Sequence, residues 1–111
     1  MLGDQTHVIG GLGQVSIILD DASTLRNHIV VFGNDAYLMM FISELRRPAV
    51  VGDNYHPIVI MMDREPRDWD HISAQFNDVY CIRTAVTRQT LSQKANLDLA
   101  FSLIFLASRD S

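Results

Sequence analysis

The chain alternates between short runs of consecutive apolar residues and segments in which apolar residues recur at helical spacing. Continuous, β-branched apolar runs of about four to eight residues are typical of strands buried on both faces of a sheet. The runs that fit this description are His28–Phe32, Pro57–Met62, Val79–Ile82 and Phe101–Ala107. We therefore predict four strands.

A first helix is predicted from about Ala36 to Arg46. Its apolar residues follow the i, i+3, i+4, i+7 spacing of one helix face: Leu38, Phe41, Ile42 and Leu45. Asn34 or Asp35 is the candidate cap, since both side chains can accept a hydrogen bond from a free main-chain N–H. Pro48 prevents this helix from continuing, and a loop of about nine residues then leads to the second strand.

Two further helices are predicted between the later strands. Pro66 suits the first turn of one of them, and Trp69, Ile72 and Phe76 form its apolar stripe. Thr87 or Thr90 is the candidate cap of a shorter helix before the last strand.

The order of these elements predicts an α/β fold. Strands that alternate with helices form successive βαβ units with right-handed crossovers and parallel strands. We predict a Rossmann-like parallel sheet in the order 3-2-1-4 with helices on both faces, the N-terminal half of a doubly wound fold. Residues 1–14 hold four of the six glycines and are predicted to be a flexible arm. Residues 15–111 are the predicted domain, a fragment of a longer chain, in which Val15–Leu19 is a short strand or packing segment.

Composition narrows the class of protein. The 111 residues carry a net charge of −4, and their nine Lys and Arg residues form no basic stripe, which argues against nucleic-acid binding. No apolar run approaches the roughly 18 residues that span a bilayer, and the N-terminus lacks a signal-peptide pattern. The single cysteine, Cys81, excludes an internal disulfide and fits a reducing compartment. We expect a soluble, cytosolic domain that does not itself insert into a membrane.

The first candidate site is the corner at which the first strand meets the first helix. In dinucleotide-binding folds this corner carries several glycines, because main-chain amides must approach a pyrophosphate closely. Here Gly33 is followed by Asn34, Asp35 and Ala36, and then by two bulky residues, Tyr37 and Leu38. A carboxylate at position 35 opposes a phosphate electrostatically. We therefore interpret the corner as a structural turn with a helix cap.

Asp63 is the second candidate position. It follows the second strand, where this fold often places an acidic residue that hydrogen-bonds a ribose. It lies 30 residues after Gly33 (63 − 33 = 30), against about 20 in the usual fingerprint. The simpler interpretation is a carboxylate at a helix N-terminus. Gly33, Asn34, Asp35 and Asp63 are thus predicted to be degenerate, unused nucleotide-site positions.

The remaining polar residues indicate no enzyme. The segment Asp63–His71 contains four carboxylates and two arginines. This composition fits a helix start with local ion pairs better than a Ca²⁺ site, because the EF-hand pattern is missing. Cys81 lies in a predicted strand, where cysteine is usually inert packing. The histidines have no metal-ligand spacing: His7, His28, His56 and His71. No catalytic residue and no metal ligand is predicted.

Several segments in a fixed order resemble RCK domains (regulators of K⁺ conductance). His28–Gly33 is similar to the first strand of these domains. Phe41–Pro48, a long loop and then His56–Ile60 are similar to the same region of large-conductance Ca²⁺-activated potassium channels and their Na⁺-activated relatives. Leu91–Ala107 resembles their third helix and fourth strand. The similarity covers roughly residues 15–110, and the long loop is more like that of the second of the two tandem RCK domains.

The resemblance implies a cytoplasmic regulatory domain at the inner face of a membrane. It would assemble with other RCK domains of the same channel, as a homo-oligomer or tetrameric gating ring. Ca²⁺ or Na⁺ would be sensed in the parent channel, and this chain itself would hold no cofactor. Prokaryotic relatives bind a dinucleotide at the glycine-rich corner, whereas the eukaryotic branch generally has a degenerate corner. The family's calcium bowl, a run of aspartates, is missing here, so we assign no calcium ligands.

Two other functions stay open at this stage. One is an NAD-binding regulatory subunit of a K⁺-transport system, or a dehydrogenase fragment; tight NAD(H) binding that Asp35→Gly did not improve would favour it. The other is a receiver-like signalling domain. That domain needs a phosphoacceptor Asp after the third strand, and the sequence there is Ile82-Arg83-Thr84, which counts against it.

Overall fold

The computed structural model describes residues 14–52 and 55–107. Its strands are β1 (Ile18–Leu19), β2 (Ile29–Gly33), β3 (Ile58–Met62), β4 (Val79–Arg83) and β5 (Ser102–Leu106). Its helices are α1 (Leu38–Leu45), α2 (Pro48–Val51), α3 (Trp69–Gln75) and α4 (Arg88–Gln93), with 3-10 turns at Asp35–Tyr37 and Leu97–Leu99. The predicted flexible arm, apart from Gln14, lies outside the described residues.

The strands form one parallel sheet in the order β1-β4-β3-β2-β5. The α/β class and the parallel sheet are confirmed. The four predicted strands are β2, β3, β4 and β5 in the observed numbering. The predicted order 3-2-1-4 is not the order of the whole sheet, because β1 adds a fifth strand at the edge beside β4. It does so through Ile18 beside Cys81 and Leu19 beside Ile82. A two-residue strand leaves no periodic pattern, so the sequence could not distinguish it from a packing segment.

The core has two layers, one on each face of the sheet, because successive strand residues point to opposite faces. On one face Val31 packs with Ile42 of α1 and Ile72 of α3. On the other face Val30 belongs to a cluster with Ala95, just after α4. All of β3 is buried, and so are the first residues of β2 and β4, as their continuous apolar sequences predict.

The last strand differs from the prediction. It is shorter than Phe101–Ala107, and among the described residues it pairs only with β2. Its side chains alternate in exposure, with Leu103 at 41% and Phe105 at 61%. The apolar run predicted a strand correctly, and the predicted order already places it at an edge, but a run of consecutive apolar residues gave no indication that one face of this strand is exposed.

The helix starts follow the capping residues. Asn34 caps the first turn, since its Oδ1 accepts a hydrogen bond from the Ala36 N–H at 2.7 Å. Thr87 caps α4 through a reciprocal capping box with Thr90. Pro48 opens α2, so the predicted loop contains a short helix. Proline is suited to a first helical position because that N–H has no intrahelical partner.

Candidate functional site

Gly33 ends β2 at the corner predicted from the sequence. Its φ is +116°, and a Cβ at this position would overlap the carbonyl oxygen of Leu106. The next N–H, that of Asn34, donates to the same oxygen at 2.8 Å. Glycine is therefore required here by the close approach of β5, irrespective of any ligand.

Main-chain N–H groups of the corner are bound within the protein. The Asn34 N–H donates to Leu106, the Ala36 N–H to the Asn34 side chain, and the Leu38 N–H to the Asp35 carbonyl. A phosphate at such a corner is held by free N–H groups. These three donors would have to exchange their protein partners before they could bind one.

Asp35 is the most buried charged group at the corner, with a side chain only 2% exposed. Its Oδ2 accepts a hydrogen bond from the Arg67 N–H at 2.9 Å and one from Arg64 Nη1 at 3.1 Å. Arg67 Nη2 approaches Oδ1 at 3.4 Å. Burial by itself would raise the pKa of the Asp35 carboxyl, but the hydrogen bonds and the two guanidinium groups outweigh it and lower that pKa.

These contacts correct two interpretations of the sequence. The arginines of Asp63–His71 were expected in local ion pairs, but Arg64 and Arg67 instead bind Asp35, which lies 29 and 32 residues away. One carboxylate with two guanidinium groups has a formal charge of +1 (−1 + 2). The argument that Asp35 repels phosphate therefore loses its electrostatic part. The bound N–H groups and the missing glycines still argue against a phosphate at this corner.

An open cleft of about 450 Å³ lies beside the corner, at the carboxyl ends of β2 and β3. It is lined by Gly33, Asp63 and Arg64, and also by Val86, which follows β4. The structure thus brings Gly33 and Asp63 to one cleft, at the place where ligands bind in open α/β sheets. Asp63 is exposed. Asn34 and Asp35 do not line this cleft; they hold the turn.

A second polar cluster lies at the opposite, amino-terminal edge of the sheet. Arg46 Nη1 donates to the His56 carbonyl at 2.8 Å, and Nη2 to the Asp78 carbonyl at 3.2 Å. The guanidinium also lies 4.3 Å from the centre of the Tyr55 ring. The Asp78 carboxylate is fully buried and accepts from Tyr55 at 2.7 Å and from Tyr80 at 3.2 Å. These residues tie the end of α1 to the starts of β3 and β4.

Burial dominates the electrostatics of this cluster. It raises the pKa of Tyr55 to about 12, with a further contribution from the hydrogen bond to Asp78. It also raises the pKa of Tyr80 and lowers that of Arg46. No pattern in the sequence indicates the cluster, because its members are far apart along the chain and Arg46 fits equally well as a cation at the end of a helix.

Cys81 and the four histidines were the other residues considered in the sequence. Cys81 is fully buried in β4, and burial raises the pKa of its thiol to about 11, as expected for a packed cysteine. His28 is fully buried and His71 is exposed. His56 stacks on Phe101 with ring centres 3.9 Å apart. His7 lies outside the described residues. Within 14–52 and 55–107, no group of three or more His, Cys, Asp or Glu could hold a metal ion.

The fold and the corner define a class: a Rossmann-like α/β domain whose strand-to-helix corner is held by side chains instead of a glycine-rich loop. Residues 24–111 match the sequence model of one protein family, which is described as the calcium-activated potassium channel slowpoke-like RCK domain. The chain therefore belongs to the slowpoke-like RCK domain family, which confirms the resemblance found in the sequence. No curated protein and no solved structure matches it. In the part of the chain that the structure describes, no helix is long and apolar enough to cross a membrane.

Proposed function

We propose that this chain is a regulatory domain of a potassium channel, without enzymatic activity. It packs with other RCK domains of the same channel in a gating ring on the cytoplasmic side of a membrane. Binding of an ion such as Ca²⁺ or Na⁺ in the parent channel shifts the ring between two shapes and changes K⁺ conductance. The family match over residues 24–111 is the observation that carries this proposal.

The corner supports a role that does not use a dinucleotide. Its Asn34 and Ala36 N–H groups have partners in the protein, and Gly33 is explained by the approach of Leu106. Asp35 serves as the anchor of Arg64 and Arg67. The presence of each of these residues is therefore explained by its role in stabilising the turn, without a bound dinucleotide.

The alternative is an NAD-binding regulatory subunit or a dehydrogenase fragment. The observation in its favour is the cleft at the carboxyl ends of β2 and β3, which Asp63 lines as an exposed carboxylate. Calorimetric titration with NADH separates the two: we expect no saturable heat up to about 1 mM, the weak-binding limit of ordinary small-ligand affinities. Saturable micromolar binding that Asp63→Asn abolished would favour the alternative.

The channel role is tested by replacement. Residues 24–111 would be exchanged for the corresponding segment of a slowpoke-type channel, and K⁺ currents recorded from excised patches over a series of Ca²⁺ and Na⁺ concentrations. We expect tetrameric channels whose open probability still responds to voltage and to an ion, with a shifted midpoint.

A matched control distinguishes misfolding from the absence of a regulatory role. The same replacement with Gly33→Val should give little or no assembled channel, because the valine Cβ cannot be placed beside Leu106. If the unmodified replacement assembled at the surface and conducted K⁺ without any dependence on either ion, the gating role would be rejected.

A further inference from the structure

Two connecting segments that are far apart in the sequence are hydrogen-bonded to each other. Ala22–His28 lies between β1 and β2, and Lys94–Phe101 lies between α4 and β5. Three main-chain bonds join them: the N–H of Ala22 donates to the Lys94 carbonyl at 2.6 Å, that of Asn27 to the Leu99 carbonyl at 2.8 Å, and that of Phe101 to the His28 carbonyl at 2.7 Å. Apart from one 3-10 turn, Lys94–Phe101 contains no helix or strand, so these contacts fix its position.

Two side chains add to this contact. Asn96 Nδ2 donates to the Leu25 carbonyl at 2.9 Å. His28 Nε2 lies 2.7 Å from the Ala95 carbonyl oxygen, and both His28 and Ala95 are fully buried. Because a carbonyl only accepts, Nε2 donates, and the neutral ring leaves Nδ1 as an acceptor. That Nδ1 is buried and has no hydrogen-bond partner among the described residues.

A second proton on His28 would be poorly accommodated at this position. It would place a positive charge and an unpaired N–H donor where water has no access, which is costly. The titratable groups on the surrounding elements are exposed or bonded elsewhere: Arg26, Lys94 and Asp98 are exposed, His56 binds Asn27, and Asp78 accepts from Tyr55 and Tyr80. Burial lowers the pKa of His28, the bond to Ala95 opposes this shift, and no charged group among the described residues contributes to it.

We propose that the contact between His28 and Ala95 is an acid-sensitive switch: protonation of His28 releases the Lys94–Phe101 segment from Ala22–His28 while the sheet stays folded. Release brings the imidazole into water, where it binds a proton readily. The segment is suited to opening by itself, because it is held by few bonds and its Asp98 and Leu99 are exposed, whereas β3 is buried throughout and paired on both sides.

The consequence of release concerns the last strand. Lys94–Phe101 leads directly into β5, and the end of β5 approaches Gly33 at the corner. Release therefore frees the start of the strand that lies against the corner. The inference goes beyond the channel role and does not depend on it.

Hydrogen exchange of the folded 111-residue chain, followed amide by amide by NMR, tests the release. Each exchange rate divided by the intrinsic rate gives an equilibrium constant for opening. The Asn27 and Phe101 amides, which donate across the contact, should open more often than the amides of β3. Their opening should be unaffected by about 1 M urea, because a local opening exposes little surface. It should increase up to about tenfold from pH 7.5 to pH 5.5, the factor by which proton binding favours an open histidine with the ordinary pKa of about 6.5.

Three variants assign the pH dependence. His28→Gln keeps an N–H that can donate to Ala95 but does not titrate, so its opening should not increase in acid. His71→Gln, at an exposed position, should behave as the wild type. Asn96→Gly removes the bond to Leu25, and glycine fits the φ of +54° there. It should increase opening by the same factor at both pH values and leave the acid dependence unchanged.

Two results of the wild-type experiment would overturn the proposal without any variant. Asn27 and Phe101 amides that exchanged as slowly as those of β3, with the same urea dependence, would open only by global unfolding. Local opening that did not change between pH 7.5 and pH 5.5 would remove the role of a histidine. An acid-induced increase that persisted in His28→Gln, shown to be folded by circular dichroism, would assign the switch to another group.

Discussion

Arg67 holds Asp35 with two groups: its main-chain N–H donates to Oδ2 at 2.9 Å, and its Nη2 approaches Oδ1 at 3.4 Å. The pair joins the corner after β2 to the segment that precedes α3. Arg64 adds a third contact from the same segment. The turn at which dinucleotide-binding proteins of this fold bind a pyrophosphate is thus held together here by a buried carboxylate and two arginines.

Asp35→Asn should destabilise the fold. The amide keeps one oxygen acceptor but loses the charge-assisted contacts of a side chain that is 2% exposed, and the expected loss is about 1–3 kcal/mol in the free energy of unfolding. Arg64→Gln is the control, because Arg64 is 59% exposed and a surface ion pair contributes at most about 1 kcal/mol. Urea denaturation at pH 7 measures both. Equal losses would show that burial of Asp35 does not matter.

The ionised carboxylate of Asp35 should also make stability depend on pH in the acid range. The folded-state pKa of Asp35 is lowered, so its contribution is present above the unfolded carboxyl pKa of about 3.9 and is lost as pH falls through the folded pKa. The difference in stability between the wild type and Asp35→Asn should therefore be constant from pH 7 to about pH 5 and shrink below about pH 4. A difference that persisted at pH 2 would contradict the ionic origin.

Gly33→Ala should be much more costly than Gly52→Ala. Both glycines have positive φ, +116° and +50°, but a Cβ at Gly33 overlaps the Leu106 main chain, whereas a Cβ at Gly52 meets no atom of the described residues within 4 Å. Gly52 lies at φ +50° and ψ −122°, a conformation that residues with a Cβ avoid, so we expect a loss of about 1–3 kcal/mol there from the backbone alone. The loss at Gly33 should be larger, because β5 must also shift. Thermal unfolding of the two variants gives the comparison. Similar losses would mean that β5 is not fixed against the corner.

The sequence predicted what depends on local pattern and missed what depends on distant partners. The strands β2, β3 and β4 follow from continuous apolar runs, and the caps at Asn34 and Thr87 follow from residue type. Asp35 was recognised as a corner residue, but nothing in the sequence indicates that arginines about 30 positions away would neutralise it. The Arg46 and Asp78 cluster was missed for the same reason, and β1 because two residues form no period.

His28 should make the fold less stable in mild acid. Its Nε2 lies 2.7 Å from the Ala95 carbonyl oxygen, which only accepts, so Nε2 carries the proton, and the buried Nδ1 has no hydrogen-bond partner among the residues that the structure describes. Burial lowers the pKa of His28 despite the bond to Ala95. The unfolded chain therefore binds a proton more readily, and stability present above about pH 6.5, the ordinary histidine pKa, falls as pH decreases through that value.

His28→Gln tests this dependence, because its amide N–H can still donate to Ala95 and it does not titrate. The free energy of unfolding of the wild type should fall from pH 7.5 to pH 5.5, and that of His28→Gln should fall less. His71→Gln, at an exposed position, should keep the wild-type slope. Identical slopes for all three proteins would exclude His28 as the source.

Tyr55→Phe should weaken the amino-terminal edge of the sheet without removing the ring that lies against Arg46. The hydroxyl donates to the Asp78 carboxylate at 2.7 Å, and that carboxylate is fully buried, so loss of one donor is expected to cost about 1–3 kcal/mol. Tyr37→Phe is the matched control; Tyr37 is 42% exposed, and a change within about 0.5 kcal/mol is expected for such a surface position. Urea denaturation at pH 7 measures the free energy of unfolding of both variants, and the same measurement at pH 11 tests the role of the hydroxyl.

The folded pKa of about 12 for Tyr55 exceeds the ordinary value of 10.0. Its contribution is therefore complete below pH 10 and is lost as pH rises toward 12, so the difference between wild type and Tyr55→Phe should be smaller at pH 11 than at pH 7. A difference that grew at pH 11 would show that the hydroxyl is not held by Asp78.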